Sequence, residues 1–207
     1  MTWDCTLCLV TDRALLPEGG LVRAVVEAVL GGCTMVQLRE KSLSSRAFCR
    51  QAEEVKRVTD RYGVPLIVND RVDIALAVGA AGAHVGQRDL PAAAARRLLG
   101  PDRLLGVSAA TVEEALEAQA AGADYLGVGA MFPTSTKSDA VLVSAGALGQ
   151  IRRAVSLPIV AIGGVDAGNA GWFRAQGVDG LAVVSAILAQ RDIRRAAAGL
   201  KTAFLTG

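Results

Sequence analysis

Short apolar runs alternate along the chain with longer stretches in which apolar positions recur every three to four residues. The short runs predict strands over Thr6–Thr11, Met35–Leu38, Leu66–Asn69, Ala83–Gly86, Leu104–Ser108, Tyr125–Val128, Ile159–Ile162 and Leu181–Val184. The longer ones predict helices over Leu21–Leu30, Ser45–Tyr62, Val72–Val78, Ala92–Leu99, Val112–Ala120, Ala145–Ala154 and Asn169–Ala175, with a last helix from Ile193 to Phe204. Strand and helix alternate to give the count of an α/β fold, a single (β/α)8 TIM barrel.

A weak internal repeat favours a closed barrel over an open sheet. Ala81-Gly82-Ala83-His84, Ala121-Gly122-Ala123-Asp124 and Gln176-Gly177-Val178-Asp179 each precede an even-numbered strand, and Gly31-Gly32-Cys33-Thr34 is a looser copy. In each, the glycine is expected to end a helix in the left-handed conformation. Helix starts carry matching signals: Thr111 with Glu114 reads as a capping box, Ser44, Ser45 and Asp166 as N-caps, and Pro91 suits a first turn. No linker or low-complexity segment interrupts the pattern, so residues 1–207 are expected to form one domain.

Composition narrows the function. With 52% hydrophobic and 20% charged residues among 207, the chain can bury a large core. A net charge of +2 gives no broad basic face for nucleic acid but leaves room for a local cationic site. No apolar run reaches the ~20 residues needed to span a bilayer, and the N-terminus shows no signal-peptide pattern. A soluble, cytoplasmic protein without membrane partners is expected, and a homo-oligomer is compatible with the sequence. Cys5 and Cys8 form a C-x-x-C, but no second pair follows and His84 is the single histidine. The cysteines are read as small core hydrophobes.

Active sites of such barrels lie at the carboxyl ends of the strands. There the sequence offers Thr11-Asp12, Gln37 to Lys41, Asn69-Asp70-Arg71, Gly86 to Asp89, Ser108, a long loop with Thr134-Ser135-Thr136-Lys137, Gly163-Gly164 and Val184-Ser185. Arg39 and Lys41 share a parity, and with Lys137 they suit a pyrophosphate. Asp70 and Asp89 end neighbouring strands and fit a magnesium ion shared with substrate phosphates; the alternative is ion pairs to Arg71 and Arg88. The glycines after the seventh strand and Val184-Ser185 after the eighth suggest a second, separate phosphate site. The 130–144 loop is long enough to close over substrate. His84 is placed at the start of its strand, at the wrong end for the mouth, and is read as structural.

These residues resemble the thiamine-phosphate synthase family. The resemblance rests on Leu9-Val10-Thr11-Asp12, Val36 to Lys41, Val68-Asn69-Asp70-Arg71, His84 to Gln87 with Asp89, Gly106-Val107-Ser108, Asp124 to Gly129, Thr134 to Lys137 and Ala161 to Gly164. It implies an enzyme that condenses 4-amino-2-methyl-5-(diphosphooxymethyl)pyrimidine with a thiazole phosphate, releasing pyrophosphate in a magnesium-dependent dissociative substitution. It also implies residue roles. Gln37, Leu38, Arg39, Glu40 and Lys41 hold the pyrimidine diphosphate, with Asn69, Ser108 and Lys137 adding contacts. Asp70 and Asp89 bind Mg2+. Thr134, Ser135, Thr136, Gly164, Val184 and Ser185 bind the thiazole phosphate. Arg39, Lys41, Ser108 and Lys137 are the expected catalytic set.

Two positions depart from the family pattern: Ala130 stands where proline is usual, and Ala110 where histidine is common. The related thiazole tautomerases are understood to rely on that histidine. Its absence, with both aspartates retained, favours the synthase over the tautomerase and over a non-catalytic binder.

Overall fold

The structure is a computed structural model that describes residues 3–16, 20–133 and 142–207. Its parallel strands are β1 (Leu7–Val10), β2 (Met35–Leu38), β3 (Leu66–Asn69), β4 (Gly82–Val85), β5 (Leu104–Ala109), β6 (Tyr125–Val128), β7 (Ile159–Ile162) and β8 (Gly180–Val183). Each pairs with its neighbours in sequence, and β8 pairs with β1 to close the barrel. Around it run α1 (Leu21–Leu30), α2 (Ser45–Tyr62), α3 (Val72–Val78), α4 (Ala92–Leu99), α5 (Val112–Ala120), α6 (Ala145–Ala154), α7 (Ala170–Ala175), α8 (Ser185–Leu188) and α9 (Ile193–Thr206). Every expected segment is present, with ends moved by at most two residues. Two elements lie outside the expected set, a 3-10 turn at Arg13–Leu15 and the single turn of α8. Both are too short to carry a periodic apolar signature.

Both faces of the sheet are buried. Leu7, Leu9, Val36, Leu38 and Val68 point outward against the helices, while Cys8, Val10, Met35, Ile67, Tyr125 and Val160 fill the barrel. That double burial is why the strands read as continuous apolar runs. No helix among the described residues is long and apolar enough to cross a membrane. All four cysteines are free thiols. Cys8 and Cys33 are buried, and burial pushes Cys33 up to about 12 and Cys8 higher still, which keeps them protonated and unreactive.

The end of the barrel opposite the mouth is built by repetition. After α1, α3, α5 and α7 come Gly32, Gly79, Gly122 and Gly177, with φ of 101°, 66°, 82° and 75°. The residue after each donates its N–H to a carbonyl back in the helix: Cys33 to Ala28, Ala80 to Ala75, Ala123 to Ala118, Val178 to Phe173. The repeat is therefore physical, but one copy sits in a different register from the expected one. Gly79 is its left-handed residue, whereas Gly82 opens β4, where a Cβ would stand 1.9 Å from the Leu104 carbonyl oxygen. Nor is the device confined to even strands, since Gly63 before β3 and Gly100 before β5 also have positive φ.

Two residues past the repeat glycine, a side chain anchors the preceding strand. Thr34 accepts from the Leu7 N–H at 3.0 Å, Asp124 from Leu105 at 2.7 Å and Asp179 from Ile159 at 2.8 Å. Arg96 and Arg152 clamp the two aspartates at 2.5 Å and 2.9 Å. In the remaining copy this position is Ala81, which has no side chain to offer.

Candidate active site

A cavity of about 570 Å³ opens at the carboxyl ends of the strands. Two contrasting half-rims and a floor enclose it.

The first half-rim carries charged side chains. From the end of β2, Gln37 and Arg39 face the cavity, as does Lys41 just beyond. Thr11, after β1, fixes this edge: its Oγ1 accepts from the Arg39 N–H at 3.0 Å and donates to the Arg39 carbonyl at 3.3 Å. The Arg39 guanidinium stands 3.8 Å from Asp12, and Lys41 Nζ lies 2.5 Å from Asp70. Of the expected Gln37-to-Lys41 set, the side chains of Leu38 and Glu40 do not face the cavity. Alternation along β2 turns the Leu38 side chain outward into the helix-facing core. The Glu40 carboxylate accepts from the Lys41 N–H, the Ser42 N–H and the Ser42 hydroxyl, and pairs with Arg13 at 3.2 Å. Burial pushes the Glu40 carboxyl up, but the Ser42 and Lys41 donors and Arg13 outweigh it and hold the group below its usual range. Neither side chain lines the cavity; Glu40 folds the loop that presents Lys41.

Asn69 ends β3, and Asp70 follows in the left-handed region at φ 63°, the one non-glycine residue there among those described. The turn after β4 brings Asp89 alongside: its Oδ2 accepts from the Gly86 N–H at 2.9 Å, and its carboxyl lies beside that of Asp70. Burial first, then the Asp70 carboxyl, raises the Asp89 pKa above the ordinary carboxylate value. Arg71 is not the partner of Asp70; it binds Asp73 at 2.6 Å and Ser45 at 3.0 Å. Among the described residues no cluster of three or more metal-binding side chains occurs. Two adjacent carboxylates beside a cation-lined cavity nevertheless suit magnesium, which takes one or two carboxylates and fills its remaining positions with water and substrate phosphate.

The second half-rim is mostly backbone. After β7, Gly163 and Gly164 adopt φ of 93° and 64°, and Asn169 Nδ2 donates to the Gly164 carbonyl at 2.8 Å. Phe132 packs directly under this turn, in edge-on contact with Trp172 and Phe173. A Cβ on Gly164 would come 2.5 Å from Phe132 Cβ. Val184 and Ser185, at the start of α8, complete the rim. Thr134, Ser135, Thr136 and Lys137 lie outside the described residues.

The floor overturns one expectation. His84 is not at the wrong end of the barrel. It is the third residue of β4, points inward and lines the cavity. Its Nε2 lies 2.9 Å from Ser108 Oγ and its Nδ1 3.1 Å from the Tyr125 hydroxyl. The sequence did hold the signal: Ala83 and Val85 face the helices, so His84 between them must face inward. Other contacts of the site escape sequence reasoning. Gln87 Nε2 donates to the Ser108 carbonyl at 2.6 Å. Glu114 also lines the cavity; its carboxylate accepts from the Ala110 N–H at 2.6 Å, one residue earlier than the expected capping box requires.

A family model described as thiamine monophosphate synthase matches residues 7–187. A thiamine-phosphate synthase of Ruminiclostridium cellulolyticum is 57% identical over 98% of this chain and 96% of its own length. One from Clostridium tetani is 54% identical over 93% of this chain and 92% of its own. Among solved structures, a thiamine phosphate pyrophosphorylase from Pyrococcus furiosus superposes with a TM-score of 0.90 at 39% identity, covering 98% of this chain and 96% of that one. A 3-hexulose-6-phosphate synthase, at 18% identity and a TM-score of 0.72, shares the fold alone.

Proposed function

The chain belongs to the thiamine monophosphate synthase family, and we propose that it joins the pyrimidine diphosphate to a thiazole phosphate, or to its carboxylated form, yielding thiamine phosphate and pyrophosphate, with carbon dioxide released as well from the carboxylated form. The observation that carries this reading is the two-sided mouth. One rim offers side-chain cations and carboxylates, the other glycine backbone, across one cavity of about 570 Å³. That division suits two phosphorylated substrates held face to face.

On this reading Arg39 and Lys41 hold the diphosphate and take up negative charge as the C–O bond to the methylene carbon breaks. Both electrons of that bond leave with pyrophosphate. The electron-rich aminopyrimidine carries the cation, and the thiazole nitrogen donates its lone pair to form the new C–N bond. Gln37, Asn69 and Ser108 orient the pyrimidine. Gly164, Val184 and Ser185 hold the thiazole phosphate so that its nitrogen faces the reacting carbon. Thr134, Ser135, Thr136 and Lys137 are assigned to the same anions by the family resemblance. Asp70 and Asp89 would hold magnesium, which when bound shares the charge of the departing pyrophosphate. No enzyme nucleophile is required, in keeping with thiols that burial keeps protonated. The reaction is assigned to the cytoplasm, where unbridged thiols persist.

Mass spectrometry of the purified protein with both substrates, with and without magnesium, tests this. Equal amounts of thiamine phosphate and pyrophosphate, formed only with magnesium, are expected. Binding of both substrates by folded protein with no product would overturn the reading.

A further inference from the structure

The sheet gives way to loops at the end of β5, and side chains take over there from the ladder. The β4–β5 ladder runs out at Val85 opposite Val107, one residue before Ser108. From Gly86 the chain turns away, its N–H going to the Asp89 carboxylate at 2.9 Å. A side chain from that same turn then rejoins the two strands: Gln87 Nε2 donates to the Ser108 carbonyl at 2.6 Å. Two residues on, the Ala110 N–H donates to the Glu114 carboxylate at 2.6 Å, and the Glu114 N–H donates to Thr111 Oγ1 at 3.2 Å. Residue type fixes the direction of each bond, because a carbonyl oxygen only accepts and a backbone N–H only donates.

We infer that Gln87 and Glu114 are positioning residues of the reaction: they clamp the backbone on either side of Ala109 and so hold Ser108 at a set place beside the Asp89 turn. The inference rests on the proposed function for what Ser108 does; the clamp itself does not. Ser108 faces the cavity and Ala109 the helices, so the clamp grips the strand where it passes from wall to core. A serine side chain is short, with a single heavy-atom torsion, so the backbone of Ser108 decides where its Oγ can lie. Gln87 and Glu114 both line the cavity, yet each commits a polar group to main chain rather than leaving it for substrate. That is the use of a brace. Gln87 also ties two elements together, since the turn it leaves carries Asp89 and the carbonyl it reaches belongs to Ser108. A shift of about 1 Å in a group that orients substrate is enough to slow a reaction by up to about 10²-fold.

Hydrogen exchange of the Ala110 amide, followed by NMR on the protein without substrates, tests the clamp alone. The amide should be protected in the parent and in Glu114→Gln, whose side-chain oxygen can still accept, and should exchange about tenfold faster or more in Glu114→Ala. A freely exchanging amide in the parent overturns the clamp whatever the reaction proves to be. Gln87→Met keeps the length of the side chain and removes the donor. Gln87→Met and Glu114→Ala should each lower kcat by about tenfold with each KM within about twofold, while Glu114→Gln stays within about twofold of the parent. In a Ser108→Ala background Gln87→Met should cost no further activity. An equal loss in both backgrounds would mean that Gln87 does not act through Ser108, and would sink the positioning role. A parent that binds both substrates without making product, its Ala110 amide protected, overturns the proposed function and the positioning role with it but leaves the clamp standing.

Discussion

The two half-rims of the mouth solve one problem, holding phosphate, by opposite means. Between β2 and β4, charge sits on side chains: Arg39, Lys41, Asp70 and Asp89, with Lys41 already paired to Asp70 at 2.5 Å. Between β7 and β8, the rim is glycine backbone braced from below by Phe132 and from the side by Asn169. The first rim can be dismantled one side chain at a time without touching the fold. The second is mostly backbone, and its glycine turn is broken most directly by adding a side chain. Function and stability are thus separable on one side of the cavity and joined on the other.

The largest effect is expected from the charged rim. Asp89→Ala should lower turnover by on the order of 10²-fold, because one carboxylate of the proposed magnesium pair would be gone. Steady-state rates across a magnesium titration check it, and near-normal turnover would remove the metal role from Asp89. Lys41→Ala should raise the KM for the pyrimidine diphosphate by about tenfold, while its exposed pair with Asp70 contributes no more than about 1 kcal/mol to stability. A denaturant melt alongside the kinetics separates the two, and a large loss of stability would show that the charged rim is structural after all.

Gly164→Ala probes the other rim. With φ at 64° and a Cβ only 2.5 Å from Phe132, it should cost about 1–3 kcal/mol of stability. The thiazole phosphate KM should rise together with the fall in Tm, whereas the pyrimidine KM should hold. An alanine variant as stable and active as the parent would show that this turn has slack. The smallest effect belongs to a cation just off the mouth. Arg71→Ala breaks exposed bonds to Asp73 and Ser45 and should change turnover by less than about twofold and stability by at most about 1 kcal/mol. A drop as deep as that of Lys41→Ala would erase the boundary drawn here between site and surface.

What could be read from the sequence follows the same division. Strands such as Leu66–Asn69 and helices such as Ser45–Tyr62 were legible to the residue, because double burial makes the strands continuous and helix caps such as Ser44 and Gly63 are written in residue type. Residues of the charged rim were legible as positions, since polar groups at strand ends stand out against apolar runs. The direction of the Glu40 side chain was not legible, because the loop after β2 is not extended and residue type alone does not say which way a carboxylate turns. Leu38 and His84 yielded to alternation, but only once their strands' facing was known. Braces such as Asn169 and Gln87 act through carbonyls set by the tertiary fold, and no local pattern announces them.

The repeated floor carries a consequence of its own, for evolvability. Each quarter of the barrel ends a helix with its own left-handed glycine, and three of the four pin the preceding strand with Thr34, Asp124 or Asp179. Strand register is thereby set at the face remote from substrate, in self-contained modules. A lineage that keeps those few residues is free to rewrite every loop on the opposite face, trying new ligands and new chemistry without putting the register at risk.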